Sequence, residues 1–342
     1  MNFKSDNTAP AAPEMLAALA AANEGPAAAY GDDRWTEALQ TRMSDVFEAH
    51  VRVLTVASGT AANAIALAAL TPPWGGVLCH SESHVEADEC GAPEFYSGGA
   101  KLVLLPGEHA KIAPDALRKA LAREGHGVHA VQPAALSLSQ STERGAVYTP
   151  DEVSELASLA HAKGLKVHMD GARFANALAA LNCAPADITS RAGVDVLSFG
   201  ATKNGALCAE AIVAFDPTIA EQIERRRKRG GHLLCKGRYV AAQLLAYLEE
   251  DRWLSWGGRA NALAQRLADA AGPLLTAPAD TNQVFIKPGE AGIARLRAAG
   301  VDFYDWGAPG SGEARLVVSW NQGEADVEQL CALLSAEVAA LG

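Results

Sequence analysis

Short apolar runs rich in Val, Leu and Ile alternate along this chain with longer alanine-rich stretches, and that alternation restricts the fold more than any other feature. Val51–Ala57 leads into a helical pattern at Ala61–Leu70, Gly76–His80 into Val85–Tyr96, and Lys101–Leu105 into Pro114–Glu124. Leu136–Leu138 ends in a turn, Asp151–Lys163 precedes a strand at Lys166–Asp170, and Val194–Phe199 and Glu210–Phe215 complete the series. Strands that are apolar throughout and joined by helices are buried on both faces. The expectation is therefore an α/β fold built on a mainly parallel sheet flanked by helices.

Further helical patterns lie at Glu14–Asn23, Trp35–Phe47 and Pro217–Arg229, and a long one from Leu234 through Glu250 is expected to bridge to a second unit. The last quarter mixes helices and strands (Trp253–Ala271, Val284–Lys287, Gly292–Ala299, Arg315–Ser319, Glu324–Leu341), the pattern of a smaller α+β unit. Pro10 and Pro13 disfavour helix before them. The division expected is an extended arm over 1–13, a large domain over 14–245 and a small C-terminal domain over 246–342.

The chain has 342 residues, 49% hydrophobic and 20% charged, so it can bury a sizeable core. Its net charge is −11 and its one dense basic run is Arg225–Arg229. Nucleic acids and anionic membranes need an extended positive surface, which excludes both as partners. Six cysteines without C-x-x-C spacing read as small buried residues of a reducing compartment, and no apolar run suits a signal segment or a membrane span. A cytoplasmic location is the expectation.

Chemistry concentrates at strand ends. Lys203 sits in Ser-Phe-Gly-Ala-Thr-Lys-Asn-Gly (198–205) just past a buried strand, where open α/β sheets build their ligand sites. Burial there would disfavour the charged amine and leave it able to form an imine. Asp170, in His-Met-Asp-Gly-Ala-Arg (168–173), ends the preceding strand and suits an acid that keeps a pyridine nitrogen protonated. Taken singly, such a lysine is a solvated surface charge and such an aspartate a helix cap. The ordered pair, each at a strand end, favours the chemical reading.

Ser58-Gly59-Thr60 stands between strand and helix, where free backbone N–H groups cradle an anion; the plainer reading is a capping turn. The segment His80–Cys90 is dense in His, Glu, Asp and Cys and raises a metal-dependent hydrolase as a rival. Ser81 and Ser83 make it a strand-to-helix loop, which denies His80 and His84 a shared helix face. His84 at the helix start could instead stack on a flat ring and move a proton. Arg173 and Arg315 are candidates for fork-like binding of a carboxylate, and Gly230-Gly231-His232 beside the basic run could approach an anion, across a subunit boundary.

These pieces together resemble the low-specificity threonine aldolases of the fold type I, aspartate-aminotransferase-like pyridoxal-phosphate superfamily, β-eliminating lyase-like enzymes close to the phenylserine aldolases. The matching elements are Phe-Lys-Ser-Asp-Asn (3–7), Tyr-Gly-Asp-Asp (30–33), Ser-Gly-Thr-Ala-Ala-Asn (58–63), Ser-His (83–84), Val-His-Met-Asp-Gly-Ala-Arg (167–173), 198–205 and Arg-Gly-Gly-His (229–232). The resemblance implies pyridoxal 5'-phosphate held as a Schiff base by Lys203. Asp170 would face its ring nitrogen, Gly59 and Thr60 its phosphate, and His84 its ring. Ser5, Arg173 and Arg315 would hold the substrate carboxylate. Tyr30 and the 228–231 region would sit at a neighbouring subunit of a homodimer or homotetramer.

The chain departs from the commonest form of the family in having Gln140-Ser141-Thr142-Glu143 where Glu-Asn-Thr-His is frequent, and Asp88 where an aromatic is frequent. His129 falls near the position of a second family histidine beside the substrate hydroxyl. The implied reaction cleaves a β-hydroxy-α-amino acid (threonine, its allo form or a phenylserine) to glycine and an aldehyde, with His84, His129 or a bound water as base. Competing expectations are β-elimination or racemisation on the same site, the metal hydrolase, and a non-catalytic relative.

Overall fold

The computed structural model describes residues 1–122 and 127–340. Seven strands form the large sheet: β1 (Arg52–Val56), β2 (Gly75–His80), β3 (Lys101–Leu105), β4 (Gln132–Ser139), β5 (Lys166–Gly171), β6 (Val196–Gly200) and β7 (Glu210–Ala214). Their order is β1-β7-β6-β5-β4-β2-β3. β2, β3, β4, β5 and β6 pair in parallel, whereas β7 runs antiparallel to both β6 and β1. The reason is local: a parallel return needs a crossover of about a dozen residues or more. Residues 201–209 hold only a short 3-10 turn, Thr202–Asn204.

Three strands, β8 (Gln283–Ile286), β9 (Tyr304–Trp306) and β10 (Glu313–Val317), make a small antiparallel sheet in the order β8-β10-β9. The helix Arg252–Ala271 joins the two packed regions, since Trp253 lies in the core of the large sheet and Ala260 through Ala271 in that of the small one. The bridging role expected of Leu234–Glu250 thus falls to its successor. The earlier helix spans only Arg238–Leu248 and packs Val240, Leu244 and Tyr247 into the large core.

Two other local expectations change. The single helix over Val85–Tyr96 is two short ones, His84–Ala87 and Ala92–Ser97, because Cys90 (φ 52°) and Gly91 (φ 73°) adopt left-handed backbone that no helix continues through. The N-terminal segment expected as an extended arm is tied down at its start. Phe3 is fully buried in the small core, its N–H donates to Asp302 O at 2.7 Å and its carbonyl accepts from Val317 N at 2.9 Å. A 3-10 turn, Asp6–Thr8, then turns the chain toward the large sheet. The helix expected over Pro114–Glu124 runs Pro114–Ala122; Arg123 and Glu124 lie outside the described residues, as does Leu341 beyond the last helix, Glu324–Ala339.

Candidate active site

A cavity of about 400 Å³ opens at the carboxyl edge of the parallel strands, the edge where such sheets take ligands. Six of the residues singled out from the sequence line it: Gly59, Thr60, His84, Asp170, Arg173 and Lys203. Asp170 sits at the end of β5, and the others arrive on the turns after β1, β2, β5 and β6. Glu210 reaches the same edge from the opposite direction, because β7 is antiparallel and starts where β6 ends; Gly200 pairs with Glu210.

The Lys203 turn is held from several sides. The neighbouring Asn204 donates to Tyr247 Oη (2.8 Å) and to Trp253 O (2.9 Å), tying it to the aromatic cluster of Phe199, Tyr247 and Trp253. Thr202 Oγ accepts from Ala209 N at 3.1 Å. The flanking glycines are required: at Gly200 a Cβ would stand 2.8 Å from Ala172 backbone, and at Gly205, with φ +104°, 2.9 Å from Trp256. Lys203 itself is half-buried, and among the described residues no hydrogen bond or ion pair engages its amine. Burial first, then the Arg173 charge, lowers its pKa.

Asp170 is buried at the end of β5, accepting from Ala172 N (2.9 Å) and Asn63 Nδ2 (2.8 Å). Burial alone would raise its pKa, but the His84, Lys203 and His168 charges hold it below the usual carboxylate range. Beneath it on the same strand, His168 is fully buried between Ser137 Oγ and Ser198 Oγ, each at 2.9 Å, and burial drives its pKa down to about 4. At the cavity's other end Ser58 caps the helix Gly59–Leu70 by accepting from Ala61 N at 3.2 Å. The N–H groups of Gly59 and Thr60 have no partner among the described residues, and a Cβ at Gly59 would meet nothing within 4 Å. That leaves an open anion cradle at a helix N-terminus.

His84 Nδ1 lies 2.8 Å from Glu89 Oε1, and its backbone N–H donates to Glu143 Oε1 at 2.8 Å. The Glu89 hydrogen bond raises the imidazole pKa against the effect of burial. Glu143 also accepts from Ser139 Oγ (2.7 Å); burial pushes its carboxyl up to about 7. Glu210 is raised to about 7 for the same reason.

Arg173 is held by Asp6 in a two-pronged pair, Nε to Oδ2 at 2.7 Å and Nη2 to Oδ1 at 3.1 Å. Ser5 lies beside the cavity, its Oγ accepting from the N–H of Asn7, which lines the wall. Arg315 is set back from the wall, its guanidinium 4.7 Å from the Trp306 ring centroid and 5.7 Å from that of Tyr304. Burial first, then Arg173, lowers it to about 10. Asp88 is exposed, and its charge reaches Arg315.

Two candidates are not brought to the cavity of their own chain. His129 is exposed in the turn Gly127–His129, before the amino end of β4. The strand to Ser139 at about 3.3 Å per residue puts it roughly 20 Å from the carboxyl edge. Tyr30 is 51% exposed, with Lys228 Nζ 4.5 Å over its ring, in a separate surface groove. The His80–Cys90 segment does not gather as a metal cage. His80 Nε2 lies 3.1 Å from Gly107 O and Nδ1 accepts from Glu82 N.

Sequence reasoning passed over Asp6, Asn63, Glu89 and Glu210 as site residues. Asp6 and Asn63 stood inside quoted motifs, and Glu89 inside the segment read as a metal rival. Glu210 left no signal, because only the antiparallel return of β7 brings it to the cavity.

This architecture, with a lysine and an aspartate on adjacent strand ends facing a helix terminus with free N–H groups, defines an α/β enzyme of the fold type I class. The β-eliminating lyase family matches residues 2–291. The chain is 42% identical over 332 residues to a low specificity L-threonine aldolase of Pseudomonas aeruginosa, covering 96% of this chain and 94% of that one. It is 41% identical to the enzyme of the same name from a Pseudomonas species, over 99% and 98% of the two chains. A threonine aldolase structure from Leishmania major superposes with a TM-score of 0.92 at 27% identity, covering 98% and 99% of the two chains. The chain belongs to the threonine aldolase branch of the β-eliminating lyase family, which are pyridoxal-phosphate-dependent lyases. Among the described residues no helix is long and apolar enough to cross a membrane.

Proposed function

We propose that the chain is a pyridoxal-phosphate aldolase that cleaves a β-hydroxy-α-amino acid of the threonine, allo-threonine or phenylserine type to glycine and an aldehyde. The observation that carries it is the unpaired, charge-disfavoured Lys203 amine in one cavity with Asp170 and the free N–H groups of Gly59 and Thr60. Those residues suit the cofactor: Lys203 for an imine bond to its aldehyde, Asp170 for its ring nitrogen, the helix terminus for its phosphate, His84 for its ring face. When bound, the group supplies an acceptor for an electron pair released at the substrate Cα.

The protein's share is orientation and proton movement. Arg173, steadied by Asp6, with Ser5 and Arg315 nearby, binds the substrate carboxylate and sets which bond at Cα faces the acceptor. Asp170, held ionised, keeps positive charge opposite it. Of the bases expected, His84 is favoured over His129 because it lines the cavity. In the same reading the enzyme is cytoplasmic and a homodimer or homotetramer, with Tyr30 and residues 228–231 serving a neighbouring subunit's site.

Absorption spectra of the protein incubated with pyridoxal phosphate, with and without borohydride, test this on wild type and Lys203→Ala. Wild type is expected to show a visible band that borohydride bleaches while fixing the cofactor to Lys203, and to release glycine and aldehyde. A colourless protein, or release of ammonia and a keto acid, would overturn the proposal.

A further inference from the structure

The break between the helices His84–Ala87 and Ala92–Ser97 does more than interrupt a pattern, because it brings Glu89 back to the Nδ1 edge of the His84 ring. The Glu89 side chain is 0% exposed and that of His84 37%. Only one partner, Glu89 Oε1, engages the imidazole, and it does so at Nδ1; among the described residues Nε2 has none. Asn63 Nδ2 donates to Glu89 Oε1 at 2.8 Å and to Asp170 Oδ2 at 2.8 Å, so one amide fixes both carboxylates.

Burial raises the Glu89 carboxyl pKa, while its hydrogen bonds to His84 and Asn63 favour the ionised form; as a carboxylate it only accepts, so the nitrogen facing it carries the ring's N–H and the other carries the lone pair. We propose that Glu89 is a positioning residue that holds the proton on His84 Nδ1, leaving Nε2 to take the β-hydroxyl proton of the substrate, and that Asn63 locks this pair in register with Asp170. The proposal deepens the aldolase reading and rests on it. In the step concerned, Nε2 accepts the hydroxyl proton and the O–H electron pair becomes the second bond of the new carbonyl. The Cα–Cβ bond breaks with its pair left on Cα, the aldehyde departs, and Cα gains a proton to become glycine.

The groups that face His84 are Glu89 from its own segment, Glu143 at its backbone amide, Asp170 from β5 and Lys203 from the turn after β6. Glu89 raises the imidazole pKa most, burial opposes it, Asp170 adds to it and Lys203 subtracts. Removing the Glu89 charge therefore shifts the limb on which activity rises with pH toward acid. In Glu89→Gln the amide can donate to Nδ1, which would put the N–H on Nε2 in most molecules and leave the base form a minor tautomer.

The experiment measures kcat and KM of loaded wild type, Glu89→Gln, His84→Gln and the double variant across pH, with cofactor content and glycine affinity read from the absorption spectrum. Expected for Glu89→Gln are a kcat about 100-fold lower at the plateau, KM and glycine affinity within about threefold, full cofactor content and an acid-shifted limb. The double variant should lose no more than His84→Gln alone, since coupled residues are not additive. An unchanged kcat, a fall without the shifted limb, or additive losses would each overturn the proposal. Should Glu89→Gln not fold, Glu89→Asp keeps the buried charge but draws it back by one methylene, and the same kcat loss with retained glycine affinity is required. Wild type that releases no glycine would instead refute the aldolase reading itself.

Discussion

Asp6→Asn tests whether the N-terminal segment sets Arg173, the arginine proposed to bind the substrate carboxylate. The side chains of Asp6 and Arg173 are 1% and 11% exposed, and Asn282 Nδ2 adds a bond to Asp6 at 3.2 Å. Burial would raise the Asp6 pKa, but the Arg173 and Lys203 charges hold it low, so it is an anion at neutral pH. Removing one member of a buried pair costs about 3–5 kcal/mol, because the other charge is left unpaired out of water. Asparagine keeps the volume and one acceptor, so the lower end applies, about 3 kcal/mol. At about 2 °C per kcal/mol for a large domain that is roughly a 6 °C fall in Tm. Glu48→Gln is the control, since Glu48 and Arg191 are 50% and 54% exposed. Such a pair contributes under about 1 kcal/mol. The functional readout is KM for the amino acid, which should rise at least about tenfold as the Arg173 fork loses its aim, with kcat less affected. Equal Tm losses in the two variants would refute the reasoning. A KM that falls would also refute it, since Asp6 would then be competing with substrate for Arg173.

His168 gives a pH test. Its folded pKa of about 4 lies below the ordinary 6.5, so its contribution is full above pH 6.5 and lost as pH falls toward 4. The gap in urea midpoint between wild type and His168→Asn should narrow from pH 7.5 to 5, and a gap constant with pH would count against it. Gly59→Asp places a carboxylate where a helix N-terminus tolerates it, yet in the anion cradle. Cofactor affinity is expected to fall about 100-fold with Tm nearly unchanged, and retained affinity would remove Gly59 from the phosphate site.

What the sequence determined by itself was local and periodic. Strand-length apolar runs between alanine-rich helices set the α/β class, since such strands need cover on both faces. Gly200, Lys203 and Gly205 marked a tight turn at a strand end, because glycine is required where a side chain would strike Ala172 backbone or Trp256. Side chains that meet across the chain were another matter. Whether β7 ran parallel or antiparallel depended on the short connection and on which neighbours accepted it, and Glu210 reached the cavity only through that choice. Asp6 meets Arg173 because Phe3 anchors the first residues in the small core, a contact no spacing encodes. Glu89 meets His84 because the helix stops at Ala87 and Asp88 (φ −131°, ψ 12°) leaves helical backbone in what reads as one helix. His129 went the other way: a residue near a family motif lies at the opposite end of its strand, since sequence proximity fixes neither the edge of a sheet nor the direction from which a side chain arrives.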